Sequence, residues 1–394
     1  MYLFYNTIIK LYGLIIRITV PFNSKAKLFI TGRKNIFERI KLALGQNKNI
    51  VWFHCSSLGE FEQARPLIEN YKRKYLDHNI LLTFFSPSGY EIIKEDKIAD
   101  WVFYLPIDTK QNAERFINII QPIKVIFIKY EFWFNYMREC SKRSIPFYSI
   151  SAVFRKEQIF FKNIWFRKQL RNITYFFVQD KISFNLLKDV GFNNIQISGD
   201  IKFDSVIKTR KESISHPLIN NFSKNKNTII CGSTWPKDEE IIIKMINENQ
   251  LFNYIIAPHE MNHLEKLKTK TNGMFLSELD DSNVNKYNVL IIDKIGILKT
   301  IYKYGDIAYI GGGFGKGIHN ILEAATFGLP ILFGPNYKKF NEAHELLELG
   351  IAKKIHNYKE LVTAANSFIN FEKSYAIEYI DSKCGATKII LDNL

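Results

Sequence analysis

Asn49-Ile50-Val51-Trp52-Phe53-His54-Cys55-Ser56-Ser57-Leu58-Gly59-Glu60-Phe61 decides the fold. Its first five residues make an apolar run of β type, and an amphipathic helical pattern occupies 61–75. A strand–turn–helix unit places its turn at the carboxyl edge of a parallel sheet, where open α/β folds keep their chemistry. A dinucleotide-binding unit would fill that turn with glycines. This one carries a carboxylate, so Glu60 reads as a base and the nucleotide is expected elsewhere. Ser57-x-x-Glu60 is also a capping box, in which the glutamate at N3 accepts from the cap residue's N–H. The two roles are compatible.

Outward from this unit the alternation repeats. Short β-rich runs at 80–85, 101–105, 124–130, 146–151, 175–179 and 195–198 alternate with helical stretches such as 182–189. A polar, lysine-rich stretch interrupts the pattern, which restarts at 228–231 and continues through 254–257, 289–292, 307–310 and 330–333. Strand–helix alternation predicts parallel sheets wound on both faces, and 394 residues are too many for one ordinary core. The expected class is therefore α/β, with two doubly wound, Rossmann-like domains facing a cleft. Their boundaries are read as 1–48 for an amino-terminal segment, 49–207, a linker at 208–227, and 228–394.

Composition narrows the partners. A formal charge of +15 calls for something anionic, whether nucleic acid, acidic lipid or phosphorylated substrate. Nine basic residues and one acidic residue precede position 51, a net of +8, so the charge concentrates at the amino terminus. No nucleic-acid-binding module accompanies it, and nucleic acid is not an expected partner. Residues 1–21 are apolar but interrupted by Lys10 and Arg17, each costing about 2.5–3.5 kcal/mol at a bilayer centre. On a helix, Asn6, Lys10, Gly13 and Arg17 fall within roughly 60° of arc. The remaining broad apolar face predicts a helix lying in a membrane interface, beside a polybasic stretch suited to an anionic surface. Cys55, Cys140, Cys231 and Cys384 show neither zinc spacing nor a disulfide framework, as suits a reducing cytoplasm.

A second candidate site follows the run at 307–310. Gly311-Gly312-Gly313-Phe314-Gly315-Lys316-Gly317 leads into Ile318-His319-Asn320-Ile321-Leu322-Glu323, which is expected to open a helix. Glycines let backbone approach a ligand closely, and a helix amino terminus offers N–H donors to phosphate. Glu323 is suited to ribose hydroxyls, or simply to the helix dipole.

The string from Gly311 to Pro335 resembles the donor-nucleotide segment of the 3-deoxy-D-manno-octulosonic acid (Kdo) transferases, GG…GGHNPLEPA…G.PVL.GP. Their SVGE turn is matched by Ser57-Leu58-Gly59-Glu60 and their ETELWPN by Lys129-Tyr130-Glu131-Phe132-Trp133-Phe134-Asn135. Their GNxKFD is matched by Gly199-Asp200-Ile201-Lys202-Phe203-Asp204, and PRHPE is approximated by Pro258-His259-Glu260. The matches run in the family's order over nearly the whole chain.

The resemblance implies a GT-B glycosyltransferase moving Kdo with inversion from CMP-Kdo to a lipid A precursor, lipid IVA, in lipopolysaccharide synthesis. The first domain would take the lipid acceptor and the second CMP-Kdo, at the cytoplasmic face of the inner membrane. It implies Glu60 as base, with Glu131 and Lys202 stabilising the transition state. CMP contacts would come from Pro258, His259, Ile295, Gly296, Ile297, Gly312, Gly313, His319, Asn320, Ile321, Leu322 and Glu323. The chemistry is reasonable on its own terms. An attacking hydroxyl must lose its proton, and positive charge developing at the anomeric carbon favours a nearby carboxylate. A lysine would neutralise the phosphate or the Kdo carboxylate. CMP leaves with a single phosphate and the chain has no DxD triplet, so neither metal nor cofactor is expected.

Some positions depart from the family. Lys129 stands for the first glutamate of ETELW, Phe134 for its proline, and Ile321 for the proline of HNPLE. PRHPE has lost its arginine, leaving its task to His259. Glu131 could alternatively pair with Lys129, and Lys202 could be an ordinary surface lysine. Three rival functions are a GT-B enzyme using another nucleotide sugar, a non-catalytic membrane-surface binding protein and a zinc metalloprotease. The last rests on His259-Glu260-Met261-Asn262-His263, a literal HExxH, with Glu278 as a candidate third ligand.

Overall fold

A computed structural model describes residues 1–249 and 251–394. The chain divides into two compact units, Met1–Ser205 with Cys384–Leu394, and Val206–Lys383.

The first unit begins with three helices, α1 (Tyr2–Thr19), α2 (Ser24–Thr31) and α3 (Ile36–Leu44). Strand β1 (Ile50–Cys55) then leads into α4 (Leu58–Lys74). The remaining strands are β2 (Asn79–Phe84), β3 (Trp101–Tyr104), β4 (Lys124–Ile128), β5 (Phe147–Ala152), β6 (Tyr175–Val178) and β7 (Ile195–Ile197). All pair in parallel, in the order β3-β2-β1-β4-β5-β6-β7. The alternation of short strands and helices thus closes into a doubly wound sheet. Every residue of β1 is buried, as expected of a parallel strand covered on both faces. Trp52 anchors that core, its ring 4.9 Å from those of Phe116 and Phe127 and 5.4 Å from that of Tyr136. The order reverses direction between β1 and β4, and such a switch point is where doubly wound sheets leave room for a ligand.

The second unit repeats the design. Its strands are β8 (Thr228–Thr234), β9 (Asn253–Pro258), β10 (Met274–Phe275), β11 (Val289–Ile291), β12 (Ile307–Ile310), β13 (Ile331–Phe333) and β14 (Ala352–Lys354). Their order is β10-β11-β9-β8-β12-β13-β14, with the reversal between β8 and β12.

The expected boundaries need three corrections. Residues 1–48 are not an appendage. Ile36, Ile40 and Leu44, one turn apart on α3, are buried in the same core as the sheet. Nor is the basic run wholly a surface feature, because Arg33 turns inward. Its guanidinium donates to the carbonyls of Leu105, Phe29 and Phe85 at 2.8, 3.0 and 2.7 Å. Burial lowers its pKa to about 9. The supposed linker at 208–227 contains the end of one helix (Ile201–Lys211) and all of another (Pro217–Ser223). Ile219 and Phe222 of the latter are buried. Residues 384–394 belong to the first unit. The Asp204 carboxylate accepts from the N–H groups of Gly385 and Thr387, both at 2.7 Å, and Ala386 and Ile390 are fully buried in that unit's core.

The apolar segment at 2–22 is long enough to cross a membrane, with 11% of it buried. A polar network attaches α1 to the first unit. The Asp108 carboxylate accepts from Tyr5 Oη at 2.5 Å and from the N–H groups of Asn135 and Tyr136 at 3.0 Å each. Tyr2 donates to Asn135 at 2.8 Å, and the Asn135 amide donates to Asn6 at 3.1 Å. Ile9 and Gly13 are buried, whereas Leu3, Phe4, Ile8, Leu11, Leu14, Ile15 and Ile18 are exposed. Asn6 and Gly13, from the predicted polar arc, therefore face the protein, and the apolar face is left open.

Candidate active site

At the switch point of the first unit, β1 ends at Cys55 and Glu60 occupies the first turn of α4. The predicted capping box does not form. Ser57 makes no side-chain cap, and Glu60 Oε2 accepts instead from the N–H of Ser56, at 2.6 Å. The carboxylate thus reaches one residue further back, past the cap. Burial raises its pKa and the charge of Glu131 raises it further, against a downward pull from Ser56 and His54. A carboxylate held this way is a better base than one in open water.

Glu131 follows β4, the strand next to β1 across the switch point. It does not pair with Lys129. Its Oε2 accepts from Trp133 Nε1 at 2.6 Å and lies 3.4 Å from Nε2 of His54. His54 is fully buried, and its Nδ1 rests on Thr83 of β2, 3.1 Å from the carbonyl oxygen and 2.9 Å from Oγ1. Trp52 Nε1 donates to the same Thr83 hydroxyl at 2.7 Å. Sequence reading gave no role to His54, Thr83 or Trp133. Only the β1–β2 register, which sets His54 beside Thr83, reveals the group.

Lys202 lies at the start of the Ile201–Lys211 helix, its Nζ 3.4 Å from Oδ2 of Asp200. Lys129 reaches the same oxygen at 3.8 Å. Asp200 is buried, and its Oδ1 accepts from Ser151 Oγ at 3.1 Å and from the N–H of Lys202 at 3.0 Å. Two lysines thus converge on one buried carboxylate. Lys129 itself sits at φ 61°, a left-handed conformation uncommon for a residue with a side chain.

In the second unit, the ends of β8, β9 and β12 bring three rings together. Trp235 stacks on His259 at 4.5 Å, and His259 lies 4.6 Å from His319. Trp235 Nε1 donates to His319 Nε2 at 3.0 Å, so the proton of neutral His319 resides on Nδ1. Burial, then the neighbouring His259, lowers the His319 pKa. Asp238, fully buried, fixes the frame by accepting from the N–H of Trp235, the hydroxyl of Tyr309 and the N–H of Gly312 at 2.8–2.9 Å. Gly311 and Gly313 are demanded by close approach. A Cβ on either would lie 2.2 Å from the Ser233 carbonyl oxygen or 2.5 Å from the Gly334 nitrogen.

The helix expected at Ile318 begins at Leu322 and spans four residues, Leu322–Ala325. Asn320 Oδ1 accepts from the Leu322 N–H at 3.2 Å, and its amide donates to Glu323 at 3.0 Å. Ile321 and Leu322 are buried, so their side chains are core and only their backbone could meet a ligand. Ile295 is 83% exposed and Gly296 has open space around its Cα. Pro258 closes β9. The HExxH reading is overturned, because no helix runs through 259–263. Helix Leu264–Thr271 starts after the motif, and His263 is bound to Glu239 at 2.8 Å. Among the described residues no group of three or more histidine, cysteine or acidic side chains is arranged to hold a metal.

Residues 34–205 match the family model described as 3-deoxy-D-manno-octulosonic-acid transferase (kdotransferase). The chain is a relative of the Kdo transferases. Kdo transferases of Rickettsia prowazekii and Aquifex aeolicus are 29% and 27% identical to it. These alignments cover 88% and 86% of this chain and 78% and 91% of theirs. A bifunctional glycosyltransferase/methyltransferase of Fusobacterium nucleatum is 26% identical over 90% of this chain, which spans 57% of that protein's length. Among solved structures, the fold is similar to UDP-GlcNAc 2-epimerase from Neisseria meningitidis (TM-score 0.59, 15% identity, 87% of this chain and 98% of that one). It is also similar to MurG of Acinetobacter baumannii (TM-score 0.54, 11% identity, with the same coverage). These likenesses place the two Rossmann-like units in the GT-B class.

Two departures from the Kdo-transferase pattern turn out to be linked. Lys129 replaces the first glutamate of ETELW, and Asp200 replaces the asparagine of GNxKFD. The two side chains form an ion pair, so the charge introduced at one position is answered at the other.

Proposed function

We propose that this chain is an inverting transferase carrying Kdo from CMP-Kdo to a lipid A precursor such as lipid IVA, without a metal. The observation that carries this reading is the Glu60 carboxylate, held at the switch point with its proton affinity raised by burial and by Glu131. The acceptor hydroxyl gives its proton to Glu60 as its oxygen bonds to the anomeric carbon, and the bond from that carbon to the CMP phosphate breaks. Glu131 balances positive charge developing at the carbon, and Lys202 neutralises the departing phosphate or the Kdo carboxylate. In the second unit, the flat wall of Trp235, His259 and His319 suits a nucleoside, with the glycine turn beside it. A single-phosphate leaving group does not require the bridging cation that a diphosphate does.

The reading also assigns the acceptor to a membrane, the cytoplasmic face of the inner membrane. It is supported by the exposed apolar side chains of α1 and by the exposed bases Lys10, Arg17, Lys25, Lys27, Lys34 and Lys41. Such a combination favours an anionic leaflet, at about 1 kcal/mol per basic residue near the surface.

The test incubates the full chain with CMP-Kdo and a tetraacyl lipid A precursor, with and without chelator, and reads products by mass spectrometry. Added Kdo that survives chelation, and falls about 10²–10⁴-fold in Glu60→Gln, is the expected result. Transfer from a UDP-sugar in place of CMP-Kdo, or full yield from the variant, would overturn it.

A further inference from the structure

His54 is a buried ionisable side chain for which the proposed reaction has no use, yet it touches Glu131 of the acidic pair. Its Nδ1 lies 3.1 Å from the carbonyl oxygen and 2.9 Å from the hydroxyl of Thr83, so that nitrogen is held by Thr83. The same hydroxyl accepts from Trp52 Nε1 at 2.7 Å and lies 3.4 Å from the Phe53 carbonyl oxygen. Nε2 then faces Glu131 Oε2 at 3.4 Å. A bare, fully buried ring nitrogen against a carboxylate oxygen would be repulsive, so the contact needs a proton between the two atoms. Trp133 Nε1 donates to that same oxygen at 2.6 Å. Two donors therefore converge on Oε2, while Oε1 accepts no hydrogen bond from the described residues.

We propose that His54 is a positioning residue for the acidic pair. Held by Thr83 through Nδ1, it keeps a proton against Glu131 Oε2, fixes that carboxylate's rotation and leaves Oε1 for the substrate. The same proton tempers the repulsion between Glu131 and Glu60, consistent with the downward pull of His54 on the Glu60 carboxyl. The charged groups facing the imidazole are Glu131 beyond β4 and Glu60 on α4. Its other neighbours, Thr83 on β2, Phe127 on β4 at 4.7 Å between rings, and Trp52 on β1, are neutral. The kinetic arm of this inference rests on the proposed transfer reaction; the proton's position does not.

Two variants separate the nitrogens. Glutamine at 54 places an amide N–H near the position of Nε2, and asparagine places one near Nδ1. His54→Asn is expected to lower kcat about 10²-fold with little change in KM for CMP-Kdo, the signature of a mispositioned reacting group. Its pH–rate profile should rise at higher pH than wild type, because Glu60 then faces an unscreened Glu131. His54→Gln should keep most of the activity. Equal losses in the two, or a change confined to KM, would overturn the proposal. In the wild-type chain, with no substrate present, ¹⁵N NMR should show His54 with Nε2 protonated and hydrogen-bonded. A bare Nε2 would overturn it even if Kdo transfer itself were never observed, and protonated Nε2 without transfer would sink only the reaction.

Discussion

The proposed base, Glu60, works against stability. Its folded pKa is raised, so between the ordinary carboxylate range and that raised value the folded chain binds more protons than the unfolded one. Stability therefore falls as pH rises through this window. Glu60→Gln should leave the melting temperature unchanged or higher at neutral pH while activity collapses, and calorimetry beside a transfer assay checks both. The wild-type rate should decline on acidification at a pH above that of an ordinary carboxylate, as titration of kcat/KM will show. The place of Glu60, just after the turn from β1 into α4, was legible in sequence because strand, turn and helix are contiguous. Its hydrogen bond was not, since whether a glutamate at N3 reaches the cap residue or the one before it depends on backbone geometry at Ser56. His54 and Thr83, 29 residues apart, meet only through strand register. The exchange of charge between Lys129 and Asp200 is similarly hidden until the ends of β4 and β7 are seen together.

Among the elements, α1 and the glycine turn have the clearest consequences. Burial raises the Asp108 pKa to about 7, from 3.8. A raised carboxyl costs stability progressively as pH climbs from about 4 towards 7. The bond from Tyr5 opposes that shift, so Tyr5→Phe should cost about 1–3 kcal/mol, more at pH 8 than at pH 5. Thermal unfolding at both values would measure it, and limited proteolysis would show α1 released. Gly311→Ala or Gly313→Ala should destabilise the second unit, because the new Cβ meets backbone that cannot turn aside. Outside β10 and β14 the alternation of strands and helices was readable, since buried parallel strands are short apolar runs. The helix after the glycines was misjudged by four residues. Gly312 at φ 90° and Gly317 at φ 136° keep the chain in turns, and the Asn320 side chain accepts from the first helical N–H, that of Leu322. The two-residue β10 and the polar edge strand β14 carry too little apolar pattern to be recognised.

For the whole molecule, the open face of α1 with its basic neighbours predicts cosedimentation with anionic vesicles, weakened by salt and absent with neutral ones. Charge replacement at Lys25, Lys27 and Lys34 should lower that binding without changing the fold, as flotation and circular dichroism would report. Arg33 belongs outside that set, because its donors are spent on carbonyls within the first unit. Residues 384–394 have a different role. Ile390 and Leu391 are large apolar side chains in the first unit's core, where loss of one commonly costs about 2–5 kcal/mol. During translation, then, the first unit waits for a closing segment that the ribosome makes only after the entire second unit has emerged. Until that moment a notch beside α4 stays uncovered, and a stalled or prematurely terminated chain would present it to chaperones and proteases.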